Sequence, residues 1–363
     1  MPGSSIGQRL VLTSFGESHG ICVGAVLDGC PAGLELDEND IQKMLNLRKP
    51  GQSLVSTQRK EEDKVKILSG VFRGYTTGAP IAMIIWNADH DSRAYEQLKT
   101  KMRPGHSDYP ALIKYKKFND FRGGGRFSGR LTATHVMGGA IARKLLKTTL
   151  GIETNSYTLQ VGKIRMSKVT QQMMKMIYSN EVRCPDKNTA KKMRDIILAA
   201  RKKGDSLGGV IESVTTNLPV GLGEPIFGSL ESDLGKALFS IPAVKGIEFG
   251  SGFGGAEAFG SQNNDPYMVK NGKIVTKTNN AGGILGGLSN GMPIVLRIAF
   301  KPASSILKKQ TTIDIKTKKP TSLQVTGRHD PCVVPRAPPV VDSLVSLVLA
   351  DHALQGGFIK PVL

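Results

Sequence analysis

The chain has 363 residues, of which 39% are hydrophobic and 22% charged, a balance that is typical of a globular protein and excludes a disordered one. No apolar run approaches the roughly 20 residues that cross a bilayer, so we expect no membrane partner. The formal net charge of +19 indicates anionic partners, either nucleic acid or a small substrate that carries carboxylates and phosphate.

The N-terminal half of the chain mixes predicted strands and helices. The strand-like segments alternate or run apolar with β-branched residues, and the helical ones have apolar residues at helical spacing between capping signals. In chain order we predict strands at 9–15 and 22–29, a helix that begins at the capping residue Asp37 and ends before Pro50, strands at 64–72 and 80–87, and a helix that stops at Gly151.

The C-terminal half adds a surface helix at 191–203, a strand at 208–219, a hairpin turning at Asn271-Gly272, a strand at 293–300 and a largely buried helix at 340–354. Asn-Gly predicts a hairpin because both turn positions need positive φ. The elements show no regular βαβ rhythm, which predicts an α+β fold with antiparallel sheet. No linker or repeat is visible, so we predict one domain over residues 1–363.

Cysteine usage and the N-terminus indicate the compartment. None of Cys22, Cys30, Cys184 and Cys332 forms a C-x-x-C pair or has a histidine at zinc-ligand spacing. The N-terminus lacks the basic region and long apolar stretch of a signal peptide. We therefore expect a cytoplasmic protein with reduced cysteines and no metal site.

Three short turns, at residues 15–20, 103–109 and 327–332, place a histidine among glycine, proline and charged residues. His19 and His106 are suited to proton transfer near neutral pH, and Asp330 is a candidate base. The alternative is that these are polar turns whose side chains only cap backbone groups or form a structural Arg–Asp pair.

A glycine run at 121–130 precedes the helix that stops at Gly151. Glycines let backbone N–H groups approach an anion, and a helix N-terminus adds unsatisfied donors. Arg126 and Arg130 are four residues apart, so we expect them to share one face of the first helical turn. A bound phosphate or carboxylate would offset their repulsion from the helix dipole. The pattern matches neither a P-loop nor a dinucleotide fingerprint.

Two further segments, at 279–287 and 301–305, combine glycines and small residues. Such segments let the backbone pack closely against a flat ligand. A pure packing role inside the protein is the alternative.

Taken together, these motifs resemble the chorismate synthase family. GESHG, RPGHSDY, RGGGRFSGR, NNAGGILGG, KPASS and GRHDPC occur in the family's order and approximate spacing, from about Gly7 to His352. The resemblance implies a homotetramer of β-α-β sandwiches, each with helices between two antiparallel four-stranded sheets. It also implies the anti-1,4-elimination of phosphate from 5-enolpyruvylshikimate-3-phosphate to chorismate, the last common step of the shikimate pathway to aromatic amino acids. The reaction needs reduced FMN, with electrons from NADPH or an external flavin reductase.

The resemblance assigns roles to the matching residues. His19 is the general acid beside the departing phosphate, His106 relays a proton at the flavin, and Asp330 keeps the flavin N5 deprotonated. Ser18 and Ser128 complete the proton relays. The substrate is bound by Arg48, Arg103, Arg130 and Arg328, and FMN is contacted by Arg126, Phe127, Ser128, Pro242, Ala243, Gly286, Lys301, Pro302, Ala303, Ser304, Ser305 and Arg328.

Five positions depart from the residues usual in the family. They are Leu54 for Arg, Phe127 for a small residue, Asn280 for His, Pro242 for Asn and Asp342 for Glu. Leu54 removes a positive charge from the expected anion site, and Phe127 either stacks on a ring or fills space. None of the five removes a residue expected to transfer a proton.

Two other functions stay open as alternatives. A basic nucleic-acid-binding protein explains the net charge but not the histidine- and glycine-bearing turns, and no nucleic-acid module is recognisable. An ordinary flavin oxidoreductase would couple net oxidation of NADPH to its substrate instead of releasing phosphate.

Overall fold

The computed structural model describes residues 3–51, 53, 55–56, 62–88, 93–167, 169–327 and 329–363. The strands are β1 (Ser5–Ile6), β2 (Val11–Gly16), β3 (Cys22–Asp28), β4 (Lys66–Ile67), β5 (Val71–Phe72), β6 (Tyr75–Thr76), β7 (Ile81–Trp86), β8 (Glu153–Val161), β9 (Ile164–Arg165), β10 (Gly209–Thr216), β11 (Val244–Phe249), β12 (Tyr267–Lys270), β13 (Lys273–Thr276), β14 (Ile284–Leu285), β15 (Leu288–Ser289), β16 (Ile294–Phe300), β17 (Gln310–Asp314) and β18 (Lys319–Leu323). The helices are α1 (Glu38–Arg48), α2 (Asp108–Tyr115), α3 (Thr132–Leu150), α4 (Gln171–Met174), α5 (Lys187–Lys202), α6 (Leu230–Leu238), α7 (Gly260–Asn263) and α8 (Pro338–Gln355).

Two antiparallel sheets enclose a layer of helices, which confirms the predicted α+β sandwich. The first sheet has the order β1-β2-β3-β7-β4 and the second the order β11-β16-β10-β8-β9. Helix α3 packs on α8 and on β2 and β3, whereas α8 packs on β8 and β10. Each sheet has five strands rather than the four expected, and these counts include the two-residue edge strands β1 and β4 in the first sheet and β9 in the second.

The close packing of the two central helices depends on a glycine. A Cβ at Gly139 of α3 would lie 2.2 Å from the Cβ of Ser343 in α8, so any side chain there would force the helices apart. Helix α8 is buried along almost its whole length, as its apolar sequence predicts. The helix pair forms the middle of a hydrophobic cluster that reaches both sheets.

Most of the predicted boundaries are confirmed where a capping or turn residue marks them. Asp37 caps α1 by accepting from the backbone N–H of Asp40 at 3.0 Å, and Gly151 ends α3 with φ +68°. The Asn271-Gly272 hairpin has φ values of +51° and +74°. Strand β8 was not predicted, because hydroxyl residues such as Ser156 and Thr158 occupy its buried positions and hide the apolar pattern.

A carboxylate near the C-terminus fixes the start of the first sheet. Asp351 in α8 accepts from the backbone N–H groups of Gln8, Arg9 and Leu10 at 2.6–3.0 Å. The same helix carries His352, whose Nε2 lies 3.0 Å from Asp233 of α6. The first contact attaches the N-terminal segment to α8, and the second joins α8 to α6.

Asp342 is a buried carboxylate in the middle of α8. It lies 3.3 Å from Arg143 of α3, and its Oδ1 has no hydrogen-bond partner. Burial raises the pKa of this carboxyl to about 6, although Arg143 opposes the shift. Since an unfolded aspartate titrates near pH 4, the folded state holds this proton more tightly, and stability from this group is lost as the pH rises from about 4 to about 6.

We expect Asp342→Asn to stabilise the protein at pH 8 by up to about 2 kcal/mol, because the amide removes the buried charge. At pH 4 the variant and the parent should differ little, since the carboxyl is then protonated. Calorimetric melting at both pH values checks this. The prediction would be contradicted if the melting temperature of Asp342→Asn at pH 8 were equal to or lower than that of the parent.

Candidate active site

A cavity of about 760 Å³ lies where the glycine-rich turns meet the loops before β11 and after β16. This volume is within the range of about 300–1,000 Å³ that is usual for ligand sites. The structure brings most of the predicted site residues to its wall. They are Ser18, Arg48, Arg103, His106, Arg126, Phe127, Ser128, Arg130, Pro242, Ala243, Lys301, Pro302, Ala303, Ser304, Ser305 and Asp330.

The remaining predicted residues do not line the cavity or lie outside the described part of the chain. His19 is buried directly behind the wall, against Gly123, and its ring meets that of Tyr95 edge-on at 5.1 Å. Gly286 does not line the cavity and lies in the tight turn between β14 and β15, with φ +60°. Arg328 and Leu54 lie outside the described residues.

Two of the predicted arginines share one buried carboxylate. Asp63 lies 2.7 Å from Nη1 of Arg48 through Oδ2, and its Oδ1 accepts from Nη1 of Arg130. The side-chain oxygen of Asn87 accepts from Nε of Arg130 at 3.0 Å and so helps to fix the Arg130 guanidinium. All three charged side chains are almost fully buried. The cluster therefore presents one net positive charge to the cavity in a fixed geometry.

The pKa values in this cluster reflect burial and mutual attraction. Burial lowers the pKa of Arg48 to about 10, with Asp63 opposing the shift. For Asp63, burial alone would raise the pKa, but Arg48 and Arg130 together hold it below its usual value. Arg48 and Asp63 are therefore both charged at neutral pH. Asp63 was missed by sequence reasoning because it lies within a run of charged residues, Arg59 to Lys64, that is typical of a solvated surface.

The glycine run does not open the helix directly, contrary to the sequence prediction. Gly123, Gly124 and Gly125 all have positive φ (57°, 85° and 52°), and α3 begins only at Thr132. Arg126 and Arg130 therefore do not share a helical face: Arg126 donates to Ser4 Oγ at 2.9 Å, whereas Arg130 pairs with Asp63. Both still line the cavity.

Gly123 determines where His19 can lie. A Cβ at Gly123 would be 2.2 Å from Cδ2 of His19 and 2.9 Å from Oγ of Ser18. That Oγ is buried and has no hydrogen-bond partner, so it can bind a ligand or a water. The bare glycine backbone thus brings two candidate proton-transfer groups against the cavity.

We expect Gly123→Ala to reduce turnover by on the order of 100-fold, because the methyl group displaces His19 and a misplacement of about 1 Å has that effect. Left-handed backbone at an alanine costs a further 1–2 kcal/mol or so of stability. The matched control is Gly129→Ala in the same loop, where a Cβ meets nothing within 4 Å. Steady-state kinetics of both variants checks this. Equal turnover numbers for Gly123→Ala and Gly129→Ala would contradict the prediction.

His106 forms a fixed pair with an aspartate two residues along. Its Nδ1 lies 2.6 Å from Oδ1 of Asp108, within N–H···O hydrogen-bond distance, and 3.1 Å from Nη2 of Arg103. Asp108 also pairs with Arg103 through Nη2 at 2.7 Å and Nε at 2.8 Å. Although burial acts to raise the pKa of Asp108, Arg103 and His106 hold it well below its usual range. The carboxylate leaves Nε2 of His106 available for proton exchange, close to Gly124.

The loops before β11 and after β16 form the opposite wall. The backbone N–H of Lys301 donates to the carbonyl of Ala243 at 2.9 Å, which joins the loops. Ala243 has φ +74°, a strained value for a residue with a Cβ and one found preferentially at functional sites. Burial, with the like charge of Lys245, lowers the pKa of Lys301. Lys301 also donates to Ser304 Oγ at 3.0 Å.

The predicted base Asp330 is paired with a cation that sequence reasoning missed. Arg336 lies 2.5 Å from Asp330 through Nη1, and its Nε donates to the carbonyl of Arg48 at 3.3 Å. His329 also lines the cavity, and burial lowers its pKa despite a hydrogen bond to the backbone of Thr326. Arg336 follows the GRHDPC motif by only four residues, but an isolated arginine before a helix carries no sequence signal of its own.

Within the part of the chain that the structure describes, no helix is long and apolar enough to cross a membrane. In the same part, no group of three acidic, histidine or cysteine side chains is placed to hold a metal ion.

Comparisons with known proteins agree with one another. A family model described as chorismate synthase matches residues 10–354. The chain is 51% identical to a chorismate synthase of Dehalococcoides mccartyi, covering 99% of each chain, and 52% identical to one of Korarchaeum cryptofilum, covering 98% of each. A crystal structure of chorismate synthase matches with a TM-score of 0.76 at 30% identity, over 96% of this chain and 93% of that one.

Proposed function

Because this chain belongs to the chorismate synthase family, and is therefore a lyase, we propose that it eliminates phosphate from 5-enolpyruvylshikimate-3-phosphate to give chorismate. The observation that carries this function is the charge of the cavity wall. The described lining holds one carboxylate, Asp330, and seven cations: Arg48, Arg103, Arg126, Arg130, Lys245, Lys301 and Arg336. A substrate with two carboxylates and a phosphate matches the positive charge that remains after Asp63 pairs with Arg48 and Arg130 and Asp108 pairs with Arg103.

The described residues also fit FMN, which we propose as the cofactor. The wall offers a small-residue loop at Pro242 and Ala243, the hydroxyls of Ser304 and Ser305, and cations for a phosphate group. When bound, reduced flavin supplies electron density to the substrate as its phosphate leaves. Pro302, Ala303 and the segment 126–128 complete the surface that would hold it.

The chain's own residues provide the proton transfers. His19, held against Gly123, is proposed to protonate the departing phosphate. His106, oriented by Asp108, is proposed to exchange a proton at the cofactor through Nε2. Asp330, which pairs with Arg336, is proposed to favour the deprotonated cofactor nitrogen. Ser18 and Ser128 line the cavity beside these groups and would relay protons.

We further propose a cytoplasmic homotetramer. Large apolar side chains in the segment 227–274 support an assembly, since Phe227, Phe253 and Phe259 are 93%, 81% and 75% exposed in the single chain. Light scattering coupled to size exclusion measures the mass directly.

The reductant is proposed to be NADPH or an external flavin reductase, and stopped-flow reduction of FMN by NADPH with the purified protein distinguishes the two.

The reaction is tested by anaerobic incubation of the protein with photoreduced FMN and enolpyruvylshikimate phosphate. Chorismate and inorganic phosphate should appear in equal amounts, without net consumption of reduced flavin. Oxidised FMN in place of reduced FMN is the control and should give no product. Folded protein that gives no product under reducing conditions would refute the function.

A further inference from the structure

A second cavity, of about 340 Å³, adjoins the active-site cavity, and Arg336 lines both. We call it the Arg183 cavity. Its wall includes Arg183, Lys49 and Arg336 as cations and Leu47, Val55 and Pro335 as apolar side chains. None of the roles proposed above uses Arg183 or this space.

Arg183 is a buried guanidinium with an unfilled hydrogen-bonding position. The residue is 7% exposed, its Nη2 donates to the carbonyl of Leu47, and its Nη1 has no hydrogen-bond partner. The guanidinium lies 5.2 Å from the ring centre of Tyr178. Its own backbone is fixed, because its carbonyl accepts from Thr158 at 3.0 Å. A buried, charged N–H without an acceptor destabilises the protein until an acceptor is supplied.

The surroundings of Arg183 favour an anion. Among the residues that the structure describes, no carboxylate lies within ion-pairing distance of it. Burial lowers its pKa to about 10, which leaves it charged at neutral pH. Glu181, the acidic residue on the described wall, is already paired with Arg194. Asp342 attracts Arg183 electrostatically, but it forms no direct ion pair with it and is not among the described residues that line the cavity. An anion entering the cavity therefore meets a cation without a direct counter-ion and no competing free carboxylate on the described wall.

The apolar part of the wall narrows the ligand further. A lone phosphate would leave most of a 340 Å³ space unfilled. We propose that the Arg183 cavity binds a small organic anion, whose carboxylate or phosphate group pairs with Arg183 and whose apolar part packs on Leu47, Val55 and Pro335. Because Arg336 lines both cavities, this ligand would lie next to a residue that also borders the active site.

Binding is measured by calorimetric titration of the full chain with 4-bromobenzoate and with 4-bromophenyl phosphate, which separate a carboxylate ligand from a phosphate ester. Arg183→Met should weaken at least one of them by about tenfold or more, the usual effect of losing a charge-assisted hydrogen bond. The matched control is Arg165→Met on the exposed edge strand β9, which should leave the affinity unchanged. Equal affinity of the parent and Arg183→Met for both probes would overturn the site.

The position of the ligand is read from bromine anomalous scattering in crystals of the parent protein, at concentrations near the measured dissociation constant. A bromine peak beside Val55 and Pro335 is expected. Peaks confined to the cavity lined by Arg48 and Arg130 would refute the site, even if Arg183→Met failed to fold. Neither measurement depends on turnover, so the outcome is independent of the proposed reaction.

Discussion

Replacing Asp63 with alanine should lower the free energy of unfolding by about 3–5 kcal/mol, because it leaves Arg48 and Arg130 buried next to each other without a counter-charge. The matched control is Asp205→Ala, which removes an exposed pair with Lys308 and should cost less than about 1 kcal/mol. Chemical denaturation at neutral pH measures both.

Low pH and added anions provide two further tests of the role of Asp63. Since the pKa of Asp63 is held below its usual value, its contribution is present above about pH 4 and is lost as the pH falls below that, so the variant and the parent should converge in acid. An added anion such as phosphate should raise the melting temperature of the variant more than that of the parent, because it replaces the missing charge. Unchanged stability of Asp63→Ala at pH 7 would contradict the arrangement.

The second large effect is expected for His106→Ala, which should reduce turnover by about 100- to 10,000-fold if the ring transfers a proton. FMN binding should change little, because Asp108 still pairs with Arg103 and keeps that wall in place. The measurement is single-turnover kinetics with prereduced flavin, so that reduction does not limit the rate.

Chemical rescue separates proton transfer from a structural role for His106. Added imidazole should restore part of the lost rate and should not help Gly123→Ala, where the ring of His19 is displaced but present. A variant that folds, binds FMN and turns over at the parental rate would refute the assigned role.

Sequence reasoning succeeded where a local signal determines the outcome. Asp37, Gly151 and Asn271-Gly272 mark element boundaries by their own backbone chemistry, and the structure has them as expected. The motifs also placed most site residues on one cavity, although this placement came from the family resemblance rather than from spacing.

Sequence reasoning failed where contacts with residues far away in the sequence determine the local structure. Asp63 is recognisable only through the two arginines that it joins, which lie 15 and 67 positions away. The three left-handed glycines before α3 depend on Asp120 and His19 packing against them, which no local pattern reveals. Strand β8 is a third case, since its polar residues are buried by pairing with β10 and packing on α8.

The contact between Asp351 and the amides of residues 8–10 sets an order of events during synthesis. The partners are more than 340 positions apart, so the first sheet cannot acquire this anchor until almost all of the chain has left the ribosome. Loop closure over such a separation slows folding and prolongs the exposure of unpaired strand edges. Nascent chains arrested before residue 351 should therefore remain protease-sensitive at their N-terminus and depend on chaperones until the final helix docks.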